Sequence, residues 1–280
     1  MKTAELTPTI APELRDALKR LRLGRMLDTL ADRIALAERE HTPIADVLLM
    51  VLSDEIARRT SSAADRRAHE AGIDESMTLE RWDKSAKVHY DRRLLQQLCA
   101  LRFLADHRNV VVLGPVGVGK TFLASALGHL ACRAGFHVRL YRADAMLRRL
   151  KQSRMDNSRE AVMTELTTID LLIIDDFALE PMTRDESRDV YQLFVERNGR
   201  LPTIVTSNRD TAEWIATFDD TLLAQSAVDR FKNNAYDLII EGESYRARLK
   251  PKVEDDPPPA APVVRTPTRR RRRAGASGGT

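Results

Sequence analysis

From the amino end to about residue 75 the apolar positions recur every three to four residues: Leu14, Leu18 and Leu21, then Met26, Leu27, Leu30 and Ile34. That period places them on one face of a helix. Pro43 suits the opening of a second helix, predicted to run through Arg59, and Ser61 to Ala71 reads as a third, polar one. Glycine is scarce here, so residues 1–75 are expected to form a small all-α domain. After residue 76 the pattern changes. Short strand-like segments appear at Asn109 to Leu113, His137 to Arg142, Leu171 to Ile174, Thr203 to Thr206 and Asp237 to Glu241. Between them lie helical stretches over Phe122 to Ala134, on to Leu150, Ser187 to Arg197 and Leu222 to Asn233, with a polar stretch at Gln152 to Arg159. Strands that are apolar on both sides are covered on both faces, so residues 76–250 are predicted to be an α/β domain with a parallel sheet between helices. From Pro251 all periodicity stops. Pro257, Pro258, Pro259 and five consecutive arginines, Arg269 to Arg273, cannot bury enough apolar surface to fold, which predicts a disordered basic tail over residues 251–280.

Composition changes this picture in two places. At 280 residues and 43% hydrophobic content the chain can build a substantial core. The net charge of +4 hints at nucleic acid, but the seven bases and three acids from Pro251 onward account for all of it, leaving 38 of each sign in residues 1–250. Any basic surface on the body must therefore come from segregation; Arg15, Lys19, Arg20, Arg22 and Arg25, then Arg58, Arg59, Arg66 and Arg67, are the candidates for phosphate contacts. An ordinary solvated helix face is the competing reading. No run of 18 apolar residues and no signal-peptide core at Met1 to Pro12 predict a cytoplasmic protein with no membrane span. Cys99 and Cys132 read as packing residues, and His107, His129 and His137 lack metal-ligand spacing.

The candidate chemistry starts at Gly114-Pro115-Val116-Gly117-Val118-Gly119-Lys120-Thr121, a G-x-x-x-x-G-K-T loop between the Asn109 strand and the Phe122 helix. The glycines let backbone N–H groups close around phosphate oxygens, Lys120 reaches the outer phosphates, and the Thr121 hydroxyl can hold Mg2+. A strand, a glycine turn and a helix N-terminus facing an anion are what phosphate binding requires, and the ligand class is a triphosphate with magnesium. Asp175 and Asp176 follow the Leu171 strand, at the sheet edge where ligands bind in open α/β folds. Asp175 is the expected magnesium partner beside Thr121, and Asp176, leaving the strand at another angle, the group that orients or deprotonates water. Asn208, after the next strand, is placed to position that water, with a plain strand-ending turn as the alternative. Arg230 is a candidate arginine finger supplied to a neighbouring subunit; a surface arginine in a salt bridge is the competing reading.

With these residues in place, the chain resembles the IstB-like family, helper ATPases of bacterial insertion sequences related to the DnaC helicase loaders within the AAA+ class. The match runs from Thr78-Leu79-Glu80-Arg81-Trp82-Asp83 through Gly114 to Thr121, Leu171 to Asp176, Thr206-Ser207-Asn208 and Asp229-Arg230 to Gly242-Glu243-Ser244-Tyr245-Arg246. The resemblance implies an ATPase that self-assembles on double-stranded DNA and delivers target DNA to a partner transposase. It also implies that Asp176 stands where many AAA+ proteins use Glu, that most of the AAA+ lid is missing, and that Arg246 is a nucleotide-sensing residue. A DnaC-like loader of a replicative helicase is the alternative, and a small-molecule kinase on the same loop is a third reading. The arginine and proline tail departs from the family pattern.

Overall fold

A computed structural model describes residues 10–248. Three helices come first: α1 (Pro12–Arg20), α2 (Leu27–Glu40) and α3 (Ile44–Glu70). Leu18, Met26, Leu30 and Val51 form their small common core. The two helices expected over Pro43 to Arg59 and Ser61 to Ala71 are one. No glycine or proline lies between them, and the helix runs without a break from Ile44 to Glu70. The far end of α3 leaves the helical core: Ala68 is buried against the second core, with Ala71 and Ile73 just beyond, and Arg67 Nε donates to the Cys132 carbonyl at 2.8 Å.

The remainder follows as β1 (Val88–His89), α4 (Arg92–Cys99), α5 (Arg102–Ala105), β2 (Asn109–Leu113), α6 (Lys120–Arg133), β3 (Val138–Arg142), α7 (Ala143–Met155), α8 (Arg159–Thr168), β4 (Leu171–Asp175), α9 (Arg184–Arg197), β5 (Thr203–Ser207), α10 (Thr211–Trp214), α11 (Thr221–Lys232), β6 (Ala235–Ile239), β7 (Glu241–Gly242) and α12 (Tyr245–Arg248). Five strands pair in the order β3-β4-β5-β2-β6, all parallel. This is the α/β architecture with a parallel sheet that the apolar runs predicted. Side chains alternate between its faces: Val111, Leu113, Leu172 and Ile174 enter one core, and Val110, Val112, Leu171 and Ile173 the other. Each of these side chains contributes roughly 1.5–3 kcal/mol by burial, which is why neither face of the strands can be polar.

Three boundaries differ from the expectation. Helix α7 continues past Leu150 to Met155, with Leu150 and Ser153 buried, and stops at a turn where Asn157 takes φ 61°. The last sheet strand begins at Ala235, because Asn109 N–H bonds the Asn234 carbonyl and draws that segment alongside β2. Glu241 leaves the main sheet and pairs with His89 in a separate β1–β7 ribbon. The predicted tail over residues 251–280 lies outside the described residues. Among the described residues no helix is long and apolar enough to cross a membrane.

Candidate nucleotide site

Parallel pairing brings the ends of β2, β4 and β5 to one edge. Leu113 is level with Ser207, and Arg142 with Asp175, so the loops that leave these strands converge. The loop after β2 is shaped by its glycines. Gly117 (φ +85°) and Gly119 (φ +98°) adopt left-handed conformations, and a Cβ would strike Ser244 at the first and Trp82 at the second. Gly119 caps α6, so the helix N-terminus opens directly into the loop.

Lys120 is buried, and its ammonium donates to the Gly114 and Pro115 carbonyls, both at 2.8 Å, and to Asn208 Oδ1. Burial lowers its pKa, while the carboxylates of Asp176 and Asp175 oppose that shift. The Thr121 hydroxyl lies 2.9 and 3.1 Å from the two Asp175 carboxylate oxygens. Thr206 donates to Asp175 Oδ1 at 2.5 Å, and its own hydroxyl oxygen accepts from the Asp176 backbone N–H at 3.0 Å. One hydroxyl from β5 therefore holds the Asp175 carboxylate and the Asp176 backbone together. Asp176 turns off the strand at φ 54°. Burial, and then the negative charge of Asp175, raise its pKa, with Arg142 and Lys120 acting the other way.

Lys120, Thr121, Asp176 and Asn208 line a pocket of about 460 Å³. Met77, Trp82, Ala86 and Tyr245 also line it, with Trp82 set against Gly119 of the loop. Trp82 is locked by its neighbours: its Nε1–H donates to the Tyr90 hydroxyl at 3.2 Å, and its ring lies 5.4 Å from that of Phe122. The segment after β6 closes over the loop. Ile240 N–H bonds the Leu113 carbonyl, Tyr245 N–H bonds the Gly117 carbonyl, both at 2.8 Å, and Arg246 reaches the pocket wall.

The pocket combines a glycine-loop phosphate cradle with an aromatic wall, the two kinds of surface a nucleotide needs. Protein-family comparison agrees: the model of the IstB-like ATP binding proteins matches residues 16–253. The chain belongs to this family. It is 38% identical over 242 residues to an ATP-binding protein in an insertion sequence of Mycobacterium tuberculosis, covering 86% of this chain and 96% of that one. It is 32% identical over 240 residues to the ATP-binding protein of insertion sequence IS21 of Pseudomonas aeruginosa, covering 86% and 91%. Among solved structures, DnaI matches with TM-score 0.48 and 21% identity over 58% of this chain and 90% of that one. The DnaC helicase loader matches with TM-score 0.46 and 19% identity over 53% and 88%.

The site expected from the IstB-like sequence is thus brought together in part. Lys120, Thr121, Asp175, Asp176 and Asn208 meet, and Arg246 lines the same pocket. Arg230 does not. It stands exposed on α11 with its guanidinium 6.0 Å from the Tyr191 ring, donating to Ser226 Oγ at 2.5 Å. Thr206 was legible only as one of three polar residues after a strand; its link to both acids needs β4 and β5 side by side. Ser244 and Tyr245 on the loop, and the Trp82–Tyr90–Phe122 cluster, join positions far apart in the chain, and no local pattern reveals them. The basic residues of the helical region also sort differently from the expectation. Arg58 and Arg59 are held by buried Glu55 and Arg67 by the Cys132 carbonyl, whereas Arg15, Lys19, Arg20 and Arg22 form no ion pair with another described residue.

Proposed function

We propose that this IstB-like protein is a Mg2+-dependent ATPase of the AAA+ type that assembles on double-stranded DNA and presents target DNA to a partner transposase. The observation that carries the ATPase reading is the set Thr121, Asp175 and Asp176 at one sheet edge, joined through Thr206, with Lys120 beside it on Asn208. Hard oxygen donors at Thr121 and Asp175 fit magnesium. No three acids, histidines or cysteines cluster to hold a metal among the described residues, which suits an ion that takes its other ligands from phosphate and water. When bound, it supplies neutralisation of charge between the outer phosphates.

The chain's own residues supply the remainder. Lys120 moves its ammonium from loop carbonyls to phosphate oxygens. Asn208 is released by that move and holds the attacking water. Asp176, its pKa raised by burial, accepts the water's proton as the oxygen attacks phosphorus and ADP leaves. Arg230, exposed and distant from its own pocket, is the group for a neighbouring subunit's γ-phosphate, which makes hydrolysis depend on assembly. The insertion-sequence names of the relatives support the transposition role, and the unpaired Arg15, Lys19, Arg20 and Arg22 are the proposed phosphate contacts. ATP turnover is expected to rise with duplex DNA, together with a shift to larger species in size-exclusion chromatography. Turnover and size both unchanged by DNA would overturn the assembly reading, and stimulation by a replicative helicase rather than by a transposase would move the protein to the loader class.

Trp82 is the proposed wall for the base. The chain has two tryptophans, and Trp214 is fully buried elsewhere, so ATP should change the emission of Trp82 alone. Trp82→Ala is expected to weaken ATP binding about 10-fold, the low end of the ~1–3 kcal/mol that aromatic–base stacking provides. Turnover at saturating ATP should stay within about 2-fold, because the residue touches no reacting atom. Unchanged affinity and no emission change on ATP addition would remove Trp82 from the site.

A further inference from the structure

The Asp176 carboxylate lines the pocket half-buried, yet it forms no hydrogen bond with another described residue. A side chain without partners of its own is aimed by its backbone alone. That backbone is left-handed, φ 54° at Asp176 and again φ 58° at Ala178, a conformation that costs free energy outside glycine and persists only where the surroundings hold it. Here the surroundings are the end of β5, where Thr206 and Ser207 are both fully buried. Thr206 donates its proton to the Asp175 carboxylate, which leaves its hydroxyl oxygen free to accept the Asp176 N–H at 3.0 Å. Its carbonyl accepts the Phe177 N–H at 2.9 Å, and Ser207 Oγ donates to the Phe177 carbonyl at 2.8 Å. The Ser207 oxygen accepts in turn from Trp214 Nε1–H at 3.2 Å and from the Arg209 N–H at 3.1 Å. The Phe177 ring lies edge-on to Trp214 at 4.9 Å and 5.6 Å from Phe194, so the turn after β4 is fixed through its backbone on one side and through a core aromatic on the other.

We infer that Thr206 and Ser207 are positioning residues for ATP hydrolysis: they clamp the Asp175–Phe177 turn in the left-handed form that keeps the Asp176 carboxylate at the phosphate end of the pocket. The inference rests on the proposed role of Asp176 as acceptor of the water's proton. Neither residue touches the nucleotide; both act through the backbone of Asp176 and Phe177. Asn208 follows them directly and bonds the Lys120 ammonium. Three consecutive residues at the end of β5 thus set the acid, the lysine and the proposed water-holding amide in one rigid piece, which gives the precise placement that proton transfer requires. Without the Thr206 hydroxyl, Asp176 is free to relax to a right-handed φ and swing its carboxylate off the pocket.

Paired substitutions in the full chain test it. Thr206→Val keeps the shape and removes the hydroxyl; turnover at saturating ATP should fall at least ~30-fold while ATP affinity stays within about threefold. Thr206→Ser keeps the hydroxyl and opens a methyl-sized gap, so its melting temperature should drop while turnover stays within about threefold of the natural chain. A purely structural Thr206 would instead make turnover follow the melting temperature in both variants. Amide exchange read by NMR gives a measure apart from activity: in Thr206→Val the Asp176 N–H should exchange at least ~10-fold faster, whereas the Phe177 N–H, held by the Thr206 carbonyl, should not change. If Thr206→Val does not fold, Ser207→Ala carries the same test, with turnover expected to fall about 10-fold at unchanged ATP affinity. Natural turnover in a folded Thr206→Val, or unchanged exchange at Asp176, overturns the inference. Asp176→Asn measured alongside separates the two failures: if it loses turnover while Thr206→Val does not, only the clamp fails, and if it keeps natural turnover, the role of Asp176 falls and the clamp with it.

Discussion

Lys120→Ala is expected to bind ATP at least ~100-fold more weakly than the natural chain, a loss of about 2.8 kcal/mol. The ammonium is the one buried cation among the phosphate-end residues described here, and a charge-assisted bond to phosphate made out of water is worth far more than an exposed pair. Its three present acceptors, two loop carbonyls and Asn208, show that the group is already aimed into the cradle. The variant should still fold. Burial lowers the Lys120 pKa, so the folded state disfavours the charge, and removing it spares that cost while leaving two carbonyls short of a donor. Titration with a fluorescent ATP analogue alongside a thermal melt separates the outcomes. Near-natural affinity in a folded Lys120→Ala protein would mean that the glycine loop is not the phosphate site.

Asp176→Asn is expected to keep ATP affinity within about threefold and to lose at least ~100-fold in turnover, the low range for a positioned general base. The two acids are adjacent in sequence, but their surroundings divide their roles. The Asp175 carboxylate accepts from both Thr121 and Thr206, as a group held for a cation should. Asp176 faces the pocket with its pKa raised by burial and by Asp175. Since the base must be ionised, turnover should fall as pH drops through that raised value, above the ~3.9 of a free aspartate, and this limb should vanish in Asp176→Asn. Stability provides the control. A carboxyl whose folded pKa exceeds its unfolded one contributes stability at low pH that is lost as pH rises through the folded value. At neutral pH Asp176→Asn removes that penalty, so its melting temperature should equal or exceed the natural one. Equal loss of binding in Asp176→Asn and Lys120→Ala would take Asp176 out of the catalytic role.

The aspartate pair also shows what kind of information the chain carries locally. Two carboxylates after Leu171–Ile174 mark a sheet edge, and a period-two run with no polar residue already implies cover on both faces. The proposed division of roles between the two acids rests on Thr206, thirty residues on, and on the φ of 54° that turns Asp176 away. The α3 boundary failed for a related reason. A polar surface stretch after an apolar one looks like a new element, whereas the helix runs unbroken from Ile44 through Thr60 to Glu70 and carries into a second core.

By itself the sequence determined the phosphate loop, the parallel α/β class, the helical amino region and the family, because each is written in contiguous residues whose spacing matches a backbone period or a backbone turn. Tertiary structure alone decided that Gly242 to Arg246 folds over the loop, that Trp82 reaches Gly119, that Arg246 faces the pocket and Arg230 does not, and that α3 keeps an apolar stripe uncovered. These are contacts between segments set side by side by strand order and helix packing. Strand order and packing come from the burial of the whole chain, which no single stretch of residues encodes.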